Sequence, residues 1–447
     1  MTISIPANAQ FVMRQLHQNG FEAFVVGGCV RDALCGLTPH DWDICTNALP
    51  EQIKGCFAGQ KTFDTGIKHG TISVVIDGEV FEVTTYRIDG EYTDNRHPES
   101  VTFTDDITPD LSRRDFTVNA MAYNTEKGLV DPFGGADDLQ NNCLRCVGNP
   151  DTRFQEDALR ILRGLRFAAT YGFEVEKHTA TSILQNASLL NHIAAERVSV
   201  ELNKLLCGKN AEAVLNDYRA VIAVVIPEIT ATFDYPQHTK HHVYDVWRHI
   251  TKSVGNIPPN EVLRMTMLLH DIGKPRCHTT DPDGTDHFKG HQQVSAESAR
   301  QIFSRLRYSN EFSQTCLDLI LYHDIRFDGS QKQVKRVLNR LGADKTKMLF
   351  QVQRADICAQ SDYRREQKLS AVDTAERQME QILAEGQCFS LGDLAIDGND
   401  LKRAGISEGK QIGLILNALL SEVIDEKLTN DKQTLLQHAI KKAGRSR

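Results

Sequence analysis

The stretch FVVGGCVRDALCGLTPHDWDICT, residues 24–46, decides how the chain begins to fold, because its apolar runs flank a pair of glycines and lead into a pair of aspartates. The pattern predicts two strands, over 22–26 and 41–45, joined by a turn and a helix. Side chains alternate along a strand, so Asp41 and Asp43 are expected on one face, where their charges repel.

Like charges this close oppose folding unless a cation lies between them. Mg²⁺ binds a small number of carboxylates together with phosphate oxygens and water. The pair Asp41 and Asp43 therefore indicates either a magnesium site or two solvated carboxylates at the end of a strand.

The glycine pair opens the helix predicted over 27–36. Gly27 and Gly28 let the backbone approach a ligand closely and direct N–H groups at anionic oxygens, and Arg31 adds positive charge. Glycine pairs also close ordinary turns, so the indication of a triphosphate site depends on the neighbouring aspartates.

Length and composition indicate a globular protein of several domains. The chain has 447 residues, 40% hydrophobic and 25% charged, which is enough for two to four domains. The net charge of −8 argues against indiscriminate coating of nucleic acid but allows a local basic groove. Residues 1–20 predict an amphipathic helix rather than a signal peptide, and no apolar run approaches the length of a membrane span. We therefore expect a cytoplasmic enzyme.

Cysteine usage fits a reducing compartment. The eleven cysteines contain a single C-x-x-C, Cys143 with Cys146, and no second pair completes a zinc site. We expect these two cysteines to be structural.

Two further segments of the N-terminal third have clear patterns. HGTISVVIDGEVFEVTTYR, residues 69–87, predicts a hairpin that turns at Asp77-Gly78. Glu82 on its second strand either lies across from the two aspartates as a third acid or faces solvent. The polar stretch over 87–109 predicts a mobile loop.

SRRDFTVNAMA, residues 112–122, predicts the start of a helix on which Asp115 and Asn119 share a face. Such a pair can hold ribose hydroxyls, and Arg113 and Arg114 can neutralise phosphate. The alternative is an aspartate that stabilises the dipole of the helix from its first turn.

A helical segment, QEDALRILRGLRFAATYGF, follows at 155–173, and Ala158, Ile161, Leu162 and Leu165 are expected to form its buried stripe. Asp157 and Arg160 lie three residues apart on another face. Cytosine and adenine both offer an amino donor beside a ring-nitrogen acceptor, whereas uracil and guanine offer the reverse. A carboxylate and a guanidinium together could accept C and A and reject U and G without a template. The alternative is an intrahelical salt bridge.

Seven motifs occur in one order: VVGGCVRD, DWD, EVTTYR, SRRDFTVNAMA, DPFGG, EDALRILR and ERVSVELNKLL. Together they resemble the class II tRNA nucleotidyltransferase (CCA-adding enzyme) and bacterial poly(A) polymerase family over about the first half of the chain. The resemblance implies an α+β fold, in which a nucleotidyltransferase head of the polymerase beta type, with a small mixed sheet, precedes an all-α neck.

The resemblance also implies the roles of individual residues. Asp41 and Asp43 would bind two catalytic Mg²⁺ ions, and Glu82 matches the accessory acid position. One ion would lower the pKa of the RNA 3′-hydroxyl, and the other would stabilise the departing pyrophosphate. The implied nucleotide-binding residues are Gly27, Gly28 and Arg31 for the triphosphate, Asp115 and Asn119 for the ribose, Asp157 and Arg160 for the base edge, and additionally Arg114 and Arg163.

After about residue 225 the sequence becomes rich in histidine. Separated imidazole and carboxylate ligands suit a divalent metal that activates water. The segments VWRHI, LLHDIGKP, GHQQVS, LYHDIRF and QRADICA together resemble the HD phosphohydrolase superfamily. This resemblance implies metal ligands at His249, His270, Asp271 and Asp356, and a second metal or substrate phosphate held by His291, His323 and Lys274. Mn²⁺, Ni²⁺ or Co²⁺ would be suitable metals.

The C-terminal stretch is similar to the tail of HD-containing members of the family, with Gly405 and Gly409 around a turn that leads into an amphipathic helix. We expect four domains: head 1–145, neck 146–225, HD domain 226–370 and tRNA-binding helical tail 371–447.

The leading interpretation is addition of C, C and A from CTP and ATP to the 3′ end of tRNA, with a phosphohydrolase or 2′,3′-cyclic phosphodiesterase activity in the HD domain. The long loop and the tail favour it over a poly(A) polymerase of the same family. An enzyme that adds only the terminal A is a further alternative within the family. An HD hydrolase with an RNA-binding head is the alternative from another class. Neither DNA nor a membrane is expected as a partner.

Overall fold

The computed structural model describes residues 2–90, 100–406 and 409–445. The chain forms two compact units, Met1–Pro227 and Glu228–Arg447. Within the described ranges, no helix combines the length and the apolar character needed to cross a membrane.

The first unit alternates short strands and helices and then becomes helical. Its helices and strands in chain order are α1 (Ala7–Gln18), β1 (Ala23–Val26), α2 (Gly28–Leu34), β2 (Ile44–Thr46), α3 (Pro50–Cys56), β3 (Lys61–Gly66), β4 (Thr71–Ile76), β5 (Glu79–Thr85), β6 (Arg87–Asp89), β7 (Val101–Phe103), α4 (Ile107–Ser112), β8 (Ala122–Asn124), β9 (Gly128–Val130), α5 (Gly135–Gln140), β10 (Cys143–Leu144), α6 (Pro150–Glu156), α7 (Leu159–Tyr171), β11 (Glu174–Val175), α8 (Lys177–Asn186), α9 (Ala195–Leu206), α10 (Ala211–Asp217) and α11 (Arg219–Val225).

A seven-stranded mixed sheet of order β3-β4-β5-β2-β1-β8-β9 organises this unit. β2 runs parallel to β5, and the other neighbouring strands are antiparallel. One face packs Val25 and Ile44 against α1 and α3, and the other buries Phe24 and Tyr86 against α4. The central strand β1, AFVV, is apolar throughout because both faces of the sheet are covered there.

The strand predicted over 41–45 is shorter than expected, because β2 begins only at Ile44. The N–H of Val26 still donates to the carbonyl oxygen of Asp43 at 3.0 Å, but β1 then ends where Gly27 takes a φ of 81° and turns the chain into α2. The residues before Asp43 therefore have no partner strand, and Asp41 and Asp43 lie at the end of the sheet rather than inside a strand.

The predicted hairpin is confirmed as β4 and β5, with positive φ at both Asp77 and Gly78. The loop predicted over 87–109 is wrong at its ends, because β6 and β7 pair there as a two-stranded ribbon. Its central part, residues 91–99, lies outside the described residues.

The helix predicted to start within 112–122 is also wrong. The N–H of Thr117 donates to the carbonyl oxygen of Arg145, and the carbonyl oxygen of Asp115 accepts from Val147. These backbone groups are therefore bound across the chain, and only a short 3₁₀ turn forms, at Thr117–Asn119.

The helical segment predicted at 155–173 is confirmed as α7, but the chain breaks before it. Asp157 has extended φ and ψ, −138° and 101°, between α6 and α7. The stripe predicted to be buried, Ala158, Ile161, Leu162 and Leu165, is inaccessible to solvent.

The second unit is almost entirely helical. Its helices and strands are α12 (Val246–Asn256), α13 (Glu261–Leu269), β12 (Thr279–Thr280), β13 (Asp286–His287), α14 (His291–Arg305), α15 (Asn310–Tyr322), α16 (Gln331–Cys358), α17 (Arg365–Ala384), α18 (Gly398–Arg403), α19 (Lys410–Ile424) and α20 (Lys432–Arg445). The amphipathic helix predicted in the tail is α19, which buries Leu419 beside Leu401 and Leu435 in a cluster of its own.

Candidate active sites

A cavity of about 850 Å³ in the first unit contains most of the residues that the sequence singled out. The predicted residues that line it are Gly28, Arg31, Asp41, Asp43, Arg113, Arg114, Asp115, Asn119, Asp157, Arg160 and Arg163. Gly27 and Glu82 do not line it, although both adjoin residues that do.

The two aspartates lie in a cluster of carboxylates. Burial raises the pKa of Asp43, and the charges of Glu82 and Asp41 raise it further, while the Arg114 guanidinium opposes them. A divalent cation would relieve this repulsion, and Mg²⁺ needs only one or two protein carboxylates when phosphate oxygens and water complete its shell. The donor set therefore fits Mg²⁺ bound together with a nucleotide.

Arg114 reaches the cavity across the glycine turn. A Cβ atom at Gly27 would lie 2.7 Å from Nη1 of Arg114, so the guanidinium would have to move, and the φ of 81° at Gly27 independently favours glycine. The Nε atom of Arg114 is buried and has no hydrogen-bond partner in the described structure. This guanidinium thus keeps donor capacity beside Asp43.

Arg31 is more enclosed than the sequence suggested. It is only 6% exposed. Its Nε and Nη2 atoms both donate to Oδ1 of Asp32, at 2.9 and 2.8 Å, and Nη2 also donates to the hydroxyl of Tyr171 at 2.7 Å. Nη1 donates to Oδ1 of Asn119 at 2.5 Å.

Asp115 and Asn119 lie together, as predicted, but on a turn instead of a helix. Nδ2 of Asn119 donates to Oδ1 of Asp115 at 2.9 Å, and Nε of Arg163 donates to Oδ2 at 2.8 Å. Burial alone would raise the pKa of Asp115, but the Arg163 guanidinium and the hydrogen bond from Asn119 hold it well below its ordinary value. The carboxylate therefore stays ionised as a hydrogen-bond acceptor.

Asp157 and Arg160 both line the cavity, and each has a different partner. Oδ2 of Asp157 accepts from Nη2 of Arg197 at 3.1 Å. Arg160 donates to Oε2 of Glu156 at 2.7 Å and to the carbonyl oxygen of Arg113 at 2.8 Å. The two side chains are thus fixed separately, and the intrahelical salt bridge considered from the sequence is not among these contacts.

Sequence reasoning missed several residues of this cavity. Arg197 lies in the motif ERVSVELNKLL, which was recognised without assigning this arginine a role. Arg166 and Tyr171 lie on α7, where the helical period was read for its buried stripe only. Both residues lie on the face of α7 that lines the cavity, and the helical spacing along this face is the signal that could have identified them.

The second unit brings the histidines and aspartates of the HD-like segments into one buried cluster. One potential metal site is formed by His249, His270 and Asp271, and a second by Asp271, His291 and His323. Asp271 is common to both: its Oδ2 lies 3.2 Å from Nε2 of His249, and its Oδ1 lies 3.2 Å from Nε2 of His291.

Asp356 and Lys274 complete this cluster. Oδ1 of Asp356 is 2.9 Å from Nε2 of His249, and Nζ of Lys274 is 2.6 Å from Oδ2 of Asp271. Burial would lower the pKa of His270, but the carboxylates of Asp271 and Asp356 raise it to about 10. A metal ion bound by these side chains would take the place of the proton on His270.

A cavity of about 680 Å³ opens onto this cluster. Its wall contains Asp271, Lys274 and His323, and basic side chains that include Lys289, Arg326, Arg364 and Lys368. Imidazole and carboxylate ligands suit a transition metal, and the basic wall suits an anionic ester.

Family models match three parts of the chain. The “Poly A polymerase head domain” matches residues 23–145, the “Probable RNA and SrmB- binding site of polymerase A” matches 172–232, and “tRNA nucleotidyltransferase domain 2” matches 289–439. With the cavity described above, these matches define a nucleotidyltransferase of the poly A polymerase type.

Comparison with individual relatives identifies the family within this class. The chain is 31% identical over 431 residues to the CCA-adding enzyme of Levilactobacillus brevis, covering 96% of each chain. It is 48% identical over 204 residues to the CCA-adding enzyme of Geobacillus thermodenitrificans, covering 46% of this chain and about half, 50%, of that enzyme. The crystal structure of the Bacillus stearothermophilus CCA-adding enzyme in complex with CTP has a TM-score of 0.70 and 26% identity, covering 98% and 97% of the two chains. The chain belongs to the CCA-adding enzyme family.

Proposed function

We propose that this protein adds C, C and A from CTP and ATP to the 3′ end of tRNA, in the cytoplasm. The observation that carries the proposal is that one cavity is lined by three pairs of side chains. These are the carboxylates Asp41 and Asp43, the pair Asp115 and Asn119 expected to bind ribose, and the pair Asp157 and Arg160 expected to read the base. Its walls contain eight basic and four acidic side chains, so a nucleoside triphosphate is attracted although the whole chain is acidic.

The residues of the cavity divide the work of recognition. Arg114 binds phosphate oxygens across Gly27. Asp115 accepts hydrogen bonds from the ribose hydroxyls, and the amide of Asn119 donates a hydrogen bond to them. Asp157 accepts from the amino group of cytosine or adenine, and Arg160 donates to the ring nitrogen beside it. Uracil and guanine present the opposite pattern and are rejected.

Asp41 and Asp43 hold the divalent cations, with Glu82 as an accessory acid. Two Mg²⁺ ions, when bound, activate the 3′-hydroxyl of the RNA and stabilise the departing pyrophosphate. The two carboxylates would hold these ions, and the Arg114 guanidinium offsets part of the negative charge around Asp43.

The experiment that tests this proposal uses three tRNA substrates, ending before CCA, after C and after CC, with each NTP alone and in combination, followed by sequencing of the 3′ ends. We expect addition that stops at CCA. An A tail that keeps growing would instead indicate a poly(A) polymerase, and addition only to the CC end would indicate an A-adding enzyme.

The same assay tests the carboxylates. Asp43→Asn should lower the rate of addition by about 100-fold or more, since it removes a charge that stabilises the transition state. Asp64→Asn, an exposed strand position paired with Lys54, is the matched control and should add normally. Near-normal addition by Asp43→Asn would contradict the assignment of this carboxylate.

A second activity is supported by the buried cluster of the second unit, in which two potential metal sites share Asp271. We propose that His249, His270, Asp271 and Asp356 bind one metal, such as Mn²⁺, Ni²⁺ or Co²⁺, and that His291 and His323 contribute to a second. Lys274 would hold the substrate phosphate. The reaction class is hydrolysis of a phosphate ester, with 2′-phosphate or 2′,3′-cyclic phosphate at an RNA end as substrate.

This division of labour implies four domains within the two units, at 1–145, 146–225, 226–370 and 371–447. The head and neck would build the nucleotide cavity, the HD domain the metal cluster, and the tail would contribute to tRNA binding.

A further inference from the structure

Arg31 is held in one orientation by three elements of the first unit. Asp32, its neighbour on α2, receives two of its N–H groups, Tyr171 at the end of α7 receives a third, and Asn119 on the 3₁₀ turn receives a fourth. A guanidinium has five N–H donors, so at most one of them remains for a phosphate oxygen. Orientation of its neighbours is thus the larger part of what this arginine does.

The Asn119 amide is held at both ends, by Arg31 at its oxygen and by Asp115 at its nitrogen. Oδ1 accepts from Nη1 of Arg31, and Nδ2 donates to Oδ1 of Asp115. If Arg31 moved away, the amide would keep only the bond from Nδ2 to Asp115 and could pivot about it. With Arg31 in place, the second N–H of the amide stays available at a residue that lines the nucleotide cavity.

Tyr171 in turn holds Arg31 and Asp32 together. Its hydroxyl donates to Oδ1 of Asp32 at 2.9 Å while accepting from Arg31, and the guanidinium lies 4.6 Å from the centre of its ring. Phe173 stacks on the Tyr171 ring, with ring centres 5.3 Å apart and an interplanar angle of 15°. The ring is therefore fixed by packing, and the hydroxyl closes a hydrogen-bonded triangle.

We propose that Tyr171 is a positioning residue for ribose selection, acting through Arg31 on the Asn119 amide. The inference rests on the proposed nucleotidyl transfer and on Asp115 and Asn119 as the ribose-binding pair. Loss of the Tyr171 hydroxyl leaves an N–H of Arg31 without a partner and loosens the orientation of the Asn119 amide. Binding of a nucleotide that offers a 2′-hydroxyl is then weakened, whereas a nucleotide that lacks this group is unaffected.

The test compares CTP with 2′-deoxy-CTP on a tRNA that ends before CCA, in the full-length protein. For Tyr171→Phe we expect kcat/KM with CTP to fall about three- to tenfold, the scale of one hydrogen bond, mainly through KM. With 2′-deoxy-CTP it should stay within about twofold of wild type by the same reasoning, so the preference for the ribonucleotide falls. Asp32→Asn, which weakens the same triangle, should lower that preference as well.

Tyr218→Phe is the matched control, because Tyr218 is a half-buried tyrosine outside this cavity, and its preference should equal that of wild type. An equal loss with both nucleotides for Tyr171→Phe would reveal a general packing role and overturn the proposal, as would an unchanged preference. If the wild-type protein added no nucleotide at all, the proposed function itself would fail and the inference would fall with it.

Discussion

Single residues of the nucleotide cavity gain their character from partners that burial forces on them. Asp43 is destabilised as an anion by burial and by two neighbouring acids, whereas Asp115 is stabilised as an anion by Arg163 and Asn119. The first environment suits a carboxylate that receives a cation with its substrate. The second suits a carboxylate whose own partners already fix its charge and orientation.

This difference predicts an acid-sensitive contribution of Asp115 to stability. A carboxyl group whose pKa is lowered by folding stabilises the native state above its unfolded pKa, near 3.9, and this stabilisation is lost as the pH falls through the lower, folded value. Between about pH 5 and pH 3, the free energy of unfolding should therefore fall more steeply for wild type than for Asp115→Asn, by up to about 1.4 kcal/mol per pH unit.

Denaturant unfolding at several pH values measures this slope. Asp115→Asn should be clearly less stable than wild type at pH 7, and the gap should narrow at low pH, because protonation removes the same charge from wild type. Parallel curves for the two proteins would show that the pair with Arg163 contributes no such stabilisation.

At the residue scale, the sequence predicted which side chains lie together better than it predicted the elements that carry them. The D-x-D pair and the Asp115 and Asn119 pair were found from spacing, although neither lies on the element that the spacing predicted. Tyr171 and Arg197 were assigned no role because their contacts to Arg31 and Asp157 join positions 140 and 40 residues away, which no local pattern encodes.

Among the elements, α7 is the one on which the cavity depends, because it carries Arg160 and Arg163 on one face and the buried stripe on another. Gly164 lies on this helix where it meets the core. A Cβ atom there would lie 2.9 Å from Cζ of Phe116, whose ring is inaccessible to solvent. The close approach of helix and ring thus requires glycine, despite its cost of about 1 kcal/mol in a helix.

Gly164→Ala should therefore destabilise the first unit by about 1–2 kcal/mol, since overpacking exceeds the gain in helix propensity. Gly55 offers a matched control: it lies in α3, it is exposed, and a Cβ atom there meets nothing within 4 Å. Gly55→Ala should leave stability unchanged or raise it by up to about 1 kcal/mol. Thermal and denaturant unfolding compare the two, and equal effects would contradict the packing argument.

Elements with strong local signals were predicted and those defined by pairing were not. α1, β1, α2 and the hairpin of β4 and β5 follow from periodicity and from the turn residues Asp77 and Gly78. The strands β6, β7, β8 and β9 have only three residues each, and they are defined by their pairing with a neighbouring strand. Likewise, no α-helix forms at Thr117, because its N–H donates to the carbonyl oxygen of Arg145 in a distant segment.

For the whole molecule, the net charge of the chain differs in sign from the charge of the residues that line the nucleotide cavity. The chain carries a net charge of −8, yet the nucleotide cavity is lined by twice as many basic as acidic residues. The buried metal-type cluster lies in the other compact unit and shares no residue with that cavity. Two chemistries with separate ligands should therefore be separable by substitution.

Substitutions at Asp271 and at Asp43 should separate the two activities. Asp271→Asn removes the carboxylate common to both potential metal sites, so hydrolysis of the phosphodiester bis(p-nitrophenyl) phosphate should fall by about 100-fold or more and the content of bound Mn²⁺, Ni²⁺ or Co²⁺ should drop. Addition of CCA should stay within about twofold of wild type, since no residue of the nucleotide cavity changes. Asp43→Asn should give the reverse pattern.

Asp281→Asn, an exposed aspartate paired with His287 on the β12 and β13 hairpin, controls for charge removal in the same unit and should change neither activity. Loss of both activities in Asp271→Asn with an unaltered unfolding curve would mean that the two sites are coupled. Retention of metal and of hydrolysis would show that the cluster is structural, because a shared ligand cannot be removed from a working two-metal site without loss.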